Sequence, residues 1–236
     1  MLLEDVDTDL KVIIVGNGGV GKTTLINKFT TGNYTDTYKK TIGAAFSEKT
    51  RYVEELEREV TFMCWDTAGQ EEFDSVTKRY YRGAKGCILA FSAVDRASFE
   101  AVEKWNDKVV NECGPKVPTV LIQTKVDLAE ESNISQDETR ALSERLKCKY
   151  IACSTKENYG VDSIFDELAV QHFNRIQSGN GDMMELPDTD EQRTDDEGDN
   201  DQGGTFTGHK DDNNTFKIGE EPKPPKHKKK TLCSII

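Results

Sequence analysis

The sequence predicts an α/β fold: a six-stranded, mostly parallel sheet with helices on both faces, followed by a disordered C-terminal tail. Three observations carry the prediction. A glycine-rich loop, Gly16-Asn17-Gly18-Gly19-Val20-Gly21-Lys22-Thr23, stands directly behind an apolar run and opens a helix-like segment. Apolar runs then alternate with amphipathic segments along the chain, the pattern of βα units. Polar motifs recur at the ends of those runs, where open α/β sheets place their ligands.

The strand-like runs span residues 10–15, 46–53, 60–65, 87–92, 117–123 and 150–153. Five are largely unbroken hydrophobics, as expected of strands buried on both faces. The run 46–53 alternates instead, with Glu48 and Arg51 between apolar residues, and suits an exposed edge strand. Helix-like segments span 22–30, 98–112, 136–146 and 161–176, with Asp95 and the Ser135 to Glu138 box as N-terminal caps. The expected organisation is a flexible N-terminus over 1–8, a folded domain over 9–177 and a tail over 178–236.

The tail explains the composition. Hydrophobic residues make up only 35% of the 236 and the net charge is −12, but between residues 182 and 201 ten carboxylates face Arg193 alone. A segment so charged cannot bury enough surface to offset its ordering entropy. The acidic balance argues against a nucleic-acid partner. No apolar run of about eighteen residues and no N-terminal signal occur, which predicts a cytosolic chain with reduced thiols. Cys64, Cys87 and Cys153 lie in strand runs, Cys113 and Cys148 near helix ends, and no Cys-x-x-Cys is present, so small buried hydrophobes are expected and no metal or disulfide framework. His172 is expected on the surface of the last helix.

The loop brings backbone N–H groups to a polyphosphate because glycine has no Cβ in the way, and the following helix adds the positive end of its dipole. Lys22 reaches the outer phosphates and the Thr23 hydroxyl is a hard-oxygen ligand for Mg²⁺. At the next strand end, Trp65-Asp66-Thr67-Ala68-Gly69-Gln70 gives Asp66 to the metal and the Gly69 N–H to a γ-phosphate. Thr41, in the polar stretch before the second strand, can complete the metal shell. Thr124-Lys125-Val126-Asp127 follows a further strand run, and its carboxylate can accept from the N1–H and N2–H₂ edge of guanine, a donor pair that adenine lacks.

With these segments in order, residues 9–176 resemble a small GTPase of the Ras superfamily and, within it, the Rabs. The resemblance implies a monomer that binds GTP or GDP with Mg²⁺, through Gly16, Gly18, Gly19, Val20, Gly21, Lys22, Thr23 and Thr24. Tyr34, Tyr38, Thr41, Gly69, Thr124, Lys125, Asp127, Ser154, Thr155 and Lys156 complete the nucleotide site. Tyr34 stands where the family has a phenylalanine edge-on to the base. Thr23, Thr41 and Asp66 are implied metal ligands, Gln70 orients the attacking water, and Lys22 and Thr41 share the catalytic site. Phe46, Trp65 and Tyr80 match the aromatic triad with which Rabs meet effectors. The string from Tyr38 to Gly43, Gln70 to Asp74 and a single C-terminal cysteine are most similar to the cilium- and Hedgehog-linked Rab branch.

Departures from the family pattern are Thr124 for its asparagine, as in Rho proteins, Ala44-Ala45 for an apolar-Asp pair, and Ala152-Cys153 for Glu-Thr. Thr124 and Ala152 leave open a slow or non-hydrolysing, nucleotide-locked binding module, and Thr124 with the Cys233 to Ile236 end leaves open a Rho-like cytoskeletal regulator. Gly18 and Gln70, the positions whose change most often disables hydrolysis, are intact. The chain ends Cys233-Ser234-Ile235-Ile236, a prenylation box, behind Lys223, Lys226, Lys228, Lys229 and Lys230. One lipid chain and a polybasic patch together make a stable anchor, and the terminal Ile favours geranylgeranyl over farnesyl. The partners so implied are an exchange factor, a GTPase-activating protein, Rab effectors, a prenyl-binding escort or GDI-type extractor and an anionic membrane. The expected place is the cytoplasmic face of endosomal, plasma or ciliary membranes, in exchange with cytosol.

Overall fold

The computed structural model describes residues 8–37, 40–41, 44–67 and 80–178. The N-terminal segment 1–7 and the tail from 179 lie outside them. In chain order the elements are β1 (Asp9–Val15), α1 (Lys22–Thr31), β2 (Ala44–Val53), a 3-10 turn (Glu54–Leu56), β3 (Arg58–Thr67) and β4 (Gly86–Ser92). There follow α2 (Arg96–Glu100), α3 (Val102–Cys113), β5 (Thr119–Thr124), a second 3-10 segment (Val126–Glu131), α4 (Gln136–Leu146), β6 (Lys149–Ala152) and α5 (Val161–Gln177).

The strands form one sheet in the order β2-β3-β1-β4-β5-β6, with β2 and β3 antiparallel and every other pair parallel. Because β3 lies on one side of β1 and β4 on the other, the strand order reverses at β1. Ligand crevices in open sheets form at such switch points, outside the carboxyl ends of the strands. The loop 16–21 leaves β1 at that end.

Side chains alternate across β1. Leu10, Val12 and Ile14 join a core on one face with Phe29 of α1 and Phe165, Leu168 and Phe173 of α5. The rings of Phe29 and Phe165 stack at 3.5 Å between centroids, and Phe62 of β3 meets both edge-on. Ile13 and Val15 join a second core on the other face, with Phe99 of α2, Trp105 and Val109 of α3 and Leu142 of α4. Helices thus cover both faces, as the alternation of runs predicts.

Both expected caps form. The Asp95 carboxylate accepts from the Ser98 N–H at 3.2 Å, and Ser135 with Glu138 makes a reciprocal capping box. The expected single helix over 98–112 is two, α2 and α3, divided at Ala101. β5 starts two residues later than expected, at Thr119, because Pro118 has no N–H to give the sheet; its carbonyl still accepts from Cys87. Not all five apolar runs are buried on both faces. β3 alternates buried and half-buried residues, and β6, the other edge strand, has none buried. His172 is half-buried, its ring edge-on to Phe173 at 5.2 Å, and does not lie on the open surface. Cys64, Cys87 and Cys153 are buried, and burial pushes the thiols of Cys64 and Cys153 up to about 12.

The edge strand β2 is tied to the last helix. Arg51 donates to both oxygens of Asp166 at 2.8 and 3.0 Å and to Asp162 at 3.1 Å, a fork that a lysine could not make. Lys49 donates to the carbonyl of Phe29 at 2.6 Å, fixing β2 to the end of α1.

Candidate functional site

A cavity of about 520 Å³ opens at the carboxyl end of β1. Gly18, Gly19, Gly21, Lys22, Thr23 and Thr24 form its floor, Tyr34, Thr35, Asp36, Thr37, Lys40 and Thr41 one wall, and Lys125 and Leu128 another. The loop can take its path only with glycine at its start. Gly16 has φ +144°, and a Cβ there would stand 2.2 Å from the carbonyl oxygen of Ala90. Gly21, with φ +98°, caps α1 in the left-handed region, so the free N–H groups of the first turn face the cavity.

Lys22 is 5% exposed, and its ammonium donates to the carbonyls of Gly16 and Asn17, both at 2.7 Å. Burial pulls it down to about 8 from an ordinary 10.5, against the opposing pull of Asp66. The nucleotide-free fold therefore binds this proton less tightly than the unfolded chain does, and its stability rises with pH through the window from about 8 to 10.5. Relative to Lys22→Met, which cancels the thiols that move the opposite way, the nucleotide-free protein should gain about 1 kcal/mol between pH 7 and 9. Urea midpoints measure it. A difference that stays flat or narrows across that window contradicts the buried ammonium.

Three oxygens from separate elements converge beside the loop. The Thr23 hydroxyl donates to Asp66 Oδ2 at 2.5 Å, lies 2.7 Å from the Thr41 hydroxyl, and the latter is 3.3 Å from the same carboxylate oxygen. Asp66 Oδ1 is buried and has no hydrogen-bond partner among the described residues. Burial raises the Asp66 carboxyl, opposed by the bonds from Thr23 and Thr41 and by the Lys22 charge. An unpartnered carboxylate oxygen with two hydroxyls beside it is a donor set for a hard divalent cation, so these residues fit Mg²⁺. Asp66 and Thr67 lie inside β3, past the expected strand end, and Thr67 is fixed by donating to the carbonyl of Ile14 at 2.7 Å.

The base-side motifs meet at the ends of β5 and β6. Lys125 donates to the carbonyl of Gly19 at 2.9 Å. The Asp127 carboxylate accepts from Ser154 Oγ at 2.7 Å, and Ser154 is itself buried and paired through its backbone with Tyr159. Thr155 is half-buried and Lys156 exposed beside it. Thr124 is 3% exposed, and its hydroxyl lies 2.6 Å from the Val20 carbonyl and 3.1 Å from that of Phe91. The departure at position 124 thus keeps a tie between β5 and the loop. Tyr34 hangs over the cavity mouth with its hydroxyl on Asp36. Between β5 and α4 the chain holds only the 3-10 segment and its connection, which leaves no room for the extra helical insert of Rho proteins.

Phe46, Trp65 and Tyr80 lie side by side. The first two pair across the β2-β3 register with ring centroids 5.3 Å apart, and Tyr80 follows at 5.5 Å from Trp65. Phe46 is 49% exposed. Tyr38, Gly69, Gln70 and Cys233 lie outside the described residues. Sequence reasoning missed Asn27, Thr35, Asp36, Thr37, Lys40 and Leu128 in the cavity wall and gave no role to Trp105, whose indole donates to Asn17 Oδ1 at 2.9 Å. A contact across 88 positions leaves no local pattern to read.

A glycine-rich loop that opens a helix at the switch point of such a sheet is the arrangement of a P-loop nucleotide-binding fold. The sequence matches the Ras family over residues 11–174, and the chain belongs to that family. Within it the chain is a Rab small GTPase. It is 39% identical to human "Ras-related protein Rab-30" over 169 residues, 72% of this chain and 82% of that protein. It is 36% identical to "Ras-related protein SEC4" of Candida albicans over 69% of this chain and 77% of that one. With "GTP-binding protein ypt2" of Schizosaccharomyces pombe the identity is 34%, over 72% and 84% of the two chains. The chain therefore hydrolyses GTP, and binding of GTP, GDP and Mg²⁺ is a general property of its family.

Proposed function

We propose that this chain is a membrane-tethered GTP/GDP switch that recruits effectors in vesicle-mediated or ciliary traffic. The observation that carries the switch is the meeting of Thr41 with Thr23 and Asp66, because Thr41 belongs to the segment that joins the nucleotide site to β2. Thr23, Thr41 and Asp66 would hold Mg²⁺, whose chemistry there is to neutralise charge on the phosphates. Thr41 and the Gly69 N–H grip the γ-phosphate end when GTP is present, which orders the segments on either side; hydrolysis releases them. Gln70 positions the attacking water and Lys22 stabilises charge on the transferred group. No arginine stands in the loop 16–23, so fast turnover needs a GTPase-activating protein that supplies one, worth about 10³ to 10⁵ in rate.

The aromatic row Phe46, Trp65 and Tyr80 is the surface we assign to effectors. Phe46, exposed on the edge strand β2, backed by the half-buried rings of Trp65 and Tyr80, supplies aromatic contact area at low entropic cost, and Ala44-Ala45 just before it sets which effectors fit. An exchange factor reloads the site. Cys233 carries the prenyl group, the lysines from 223 to 230 add attraction to an anionic leaflet, and a GDI-type protein extracts the GDP form. The likeness of 38–43 and 70–74 to the cilium-linked branch supports the ciliary version of the reading.

The tether is tested by flotation of prenylated protein with liposomes that contain anionic lipid. Cys233→Ser should leave the protein in the unbound fraction at physiological salt. Replacing Lys226, Lys228, Lys229 and Lys230 with Gln should weaken binding only in part, since each lysine contributes about 1 kcal/mol and that attraction is screened by salt. A Cys233→Ser protein that still floats shows that the anchor lies elsewhere.

A further inference from the structure

The phosphate-binding loop is pinned at four places: two of the pins come from strands, and a third from the residue that follows β5. Gly16 abuts the carbonyl of Ala90 in β4, the Gly19 carbonyl accepts from Lys125, and the Val20 carbonyl accepts from Thr124 at the end of β5. The fourth comes from a helix. Trp105, on α3 and 5% exposed, has one polar hydrogen, and it donates that hydrogen to Asn17 Oδ1 at 2.9 Å. A buried indole N–H left without an acceptor is costly, so this contact constrains both partners. Asn17 is also the residue whose main-chain carbonyl receives the Lys22 ammonium at 2.7 Å. Its amide offers the indole an acceptor without placing a negative charge beside the phosphates.

We propose that Trp105 is a positioning residue for nucleotide binding: its indole N–H holds the Asn17 side chain, and so holds the turn whose carbonyl seats Lys22. The proposal rests on the nucleotide-binding reading of the loop. When the tie is lost, residue 17 keeps its chain neighbours but loses its side-chain restraint from α3, one of the two carbonyls that seat Lys22 is freed to move, and bound nucleotide leaves faster.

The test measures release of fluorescent GDP from Mg²⁺-loaded protein carrying Trp105→Phe, which keeps the ring and removes the N–H, Asn17→Ala, or both. Each single change should speed release by about two- to tenfold, the range of one net hydrogen bond. The double variant should be no faster than the faster single one, because both remove the same contact. Should Trp105→Phe disturb the core, Asn17→Ala still decides the matter. In protein labelled with ¹⁵N-tryptophan, the indole resonance of Trp105, told from that of Trp65 by a Trp65→Phe variant, should move on Asn17→Ala while that of Trp65 stays. An unmoved Trp105 resonance, single variants that release GDP at the parent rate, or effects that multiply in the double variant would each overturn the tie. A parent protein that binds no fluorescent GDP would overturn the nucleotide reading itself and this proposal with it, a failure distinct from the other three.

Discussion

Asp127→Asn should weaken GTP binding by about 10²- to 10⁴-fold. The proposed carboxylate accepts two donors of the guanine edge, and a hydrogen bond to a charged group contributes about 1.5–3 kcal/mol, with each 1.4 kcal/mol worth a factor of ten. An amide offers one acceptor where the carboxylate offered two, and it turns an N–H₂ toward a donor of the base. The same change should admit xanthosine triphosphate, whose C2 carbonyl can accept from the new amide. The side chain is already oriented for this work by Ser154, which donates to its Oδ1 at 2.7 Å, so the substitution alters chemistry and not placement. Competition binding with GTP and xanthosine triphosphate measures both effects. Unchanged preference for GTP in the variant would show that base recognition does not run through Asp127.

Gln70→Leu should leave GTP affinity within about twofold of the parent yet cut stimulated hydrolysis by about 10³-fold. A residue that orients water acts only in the transition state, so kcat falls while ground-state binding holds. The magnitude follows from what orientation and general-base assistance contribute, about 10² to 10⁴. Lys22 and the oxygen set of Thr23, Thr41 and Asp66 are unaltered in this variant, and the nucleotide should stay bound as GTP. Phosphate release in the presence of a GTPase-activating protein distinguishes the outcomes: equal rates for variant and parent would remove Gln70 from the mechanism.

Much of this site is legible in the sequence because its parts are local. The loop behind β1, the caps at Asp95 and Ser135, and the alternation of 46–53 that marks β2 as an edge each depend on neighbours a few residues apart. The contacts that tune the site are not local. Thr124 reaches back 104 positions to Val20, Trp105 88 to Asn17, and Arg51 forward 115 to Asp166. No period or spacing encodes such pairs; only the order of strands in the sheet brings them together. Position 124 shows the limit best. From sequence it is a departure from the family asparagine, whereas in the fold its hydroxyl is buried against main-chain carbonyls of the loop and of β4. The break between α2 and α3 at Ala101 is equally silent, since Ala101 is a good helix former and nothing in its neighbours announces a division.

The most direct test of a guanine-specific hydrolytic switch is a single-turnover assay in which the Mg²⁺-loaded protein, stripped of nucleotide, receives γ-labelled GTP with and without a hundredfold excess of ATP. Labelled phosphate should appear at the same rate in both, with GDP retained on the protein, because adenine lacks the donor pair that the proposed Asp127 contact requires. Loss of the signal under ATP, or release of no phosphate from bound GTP with a GTPase-activating protein present, would contradict it.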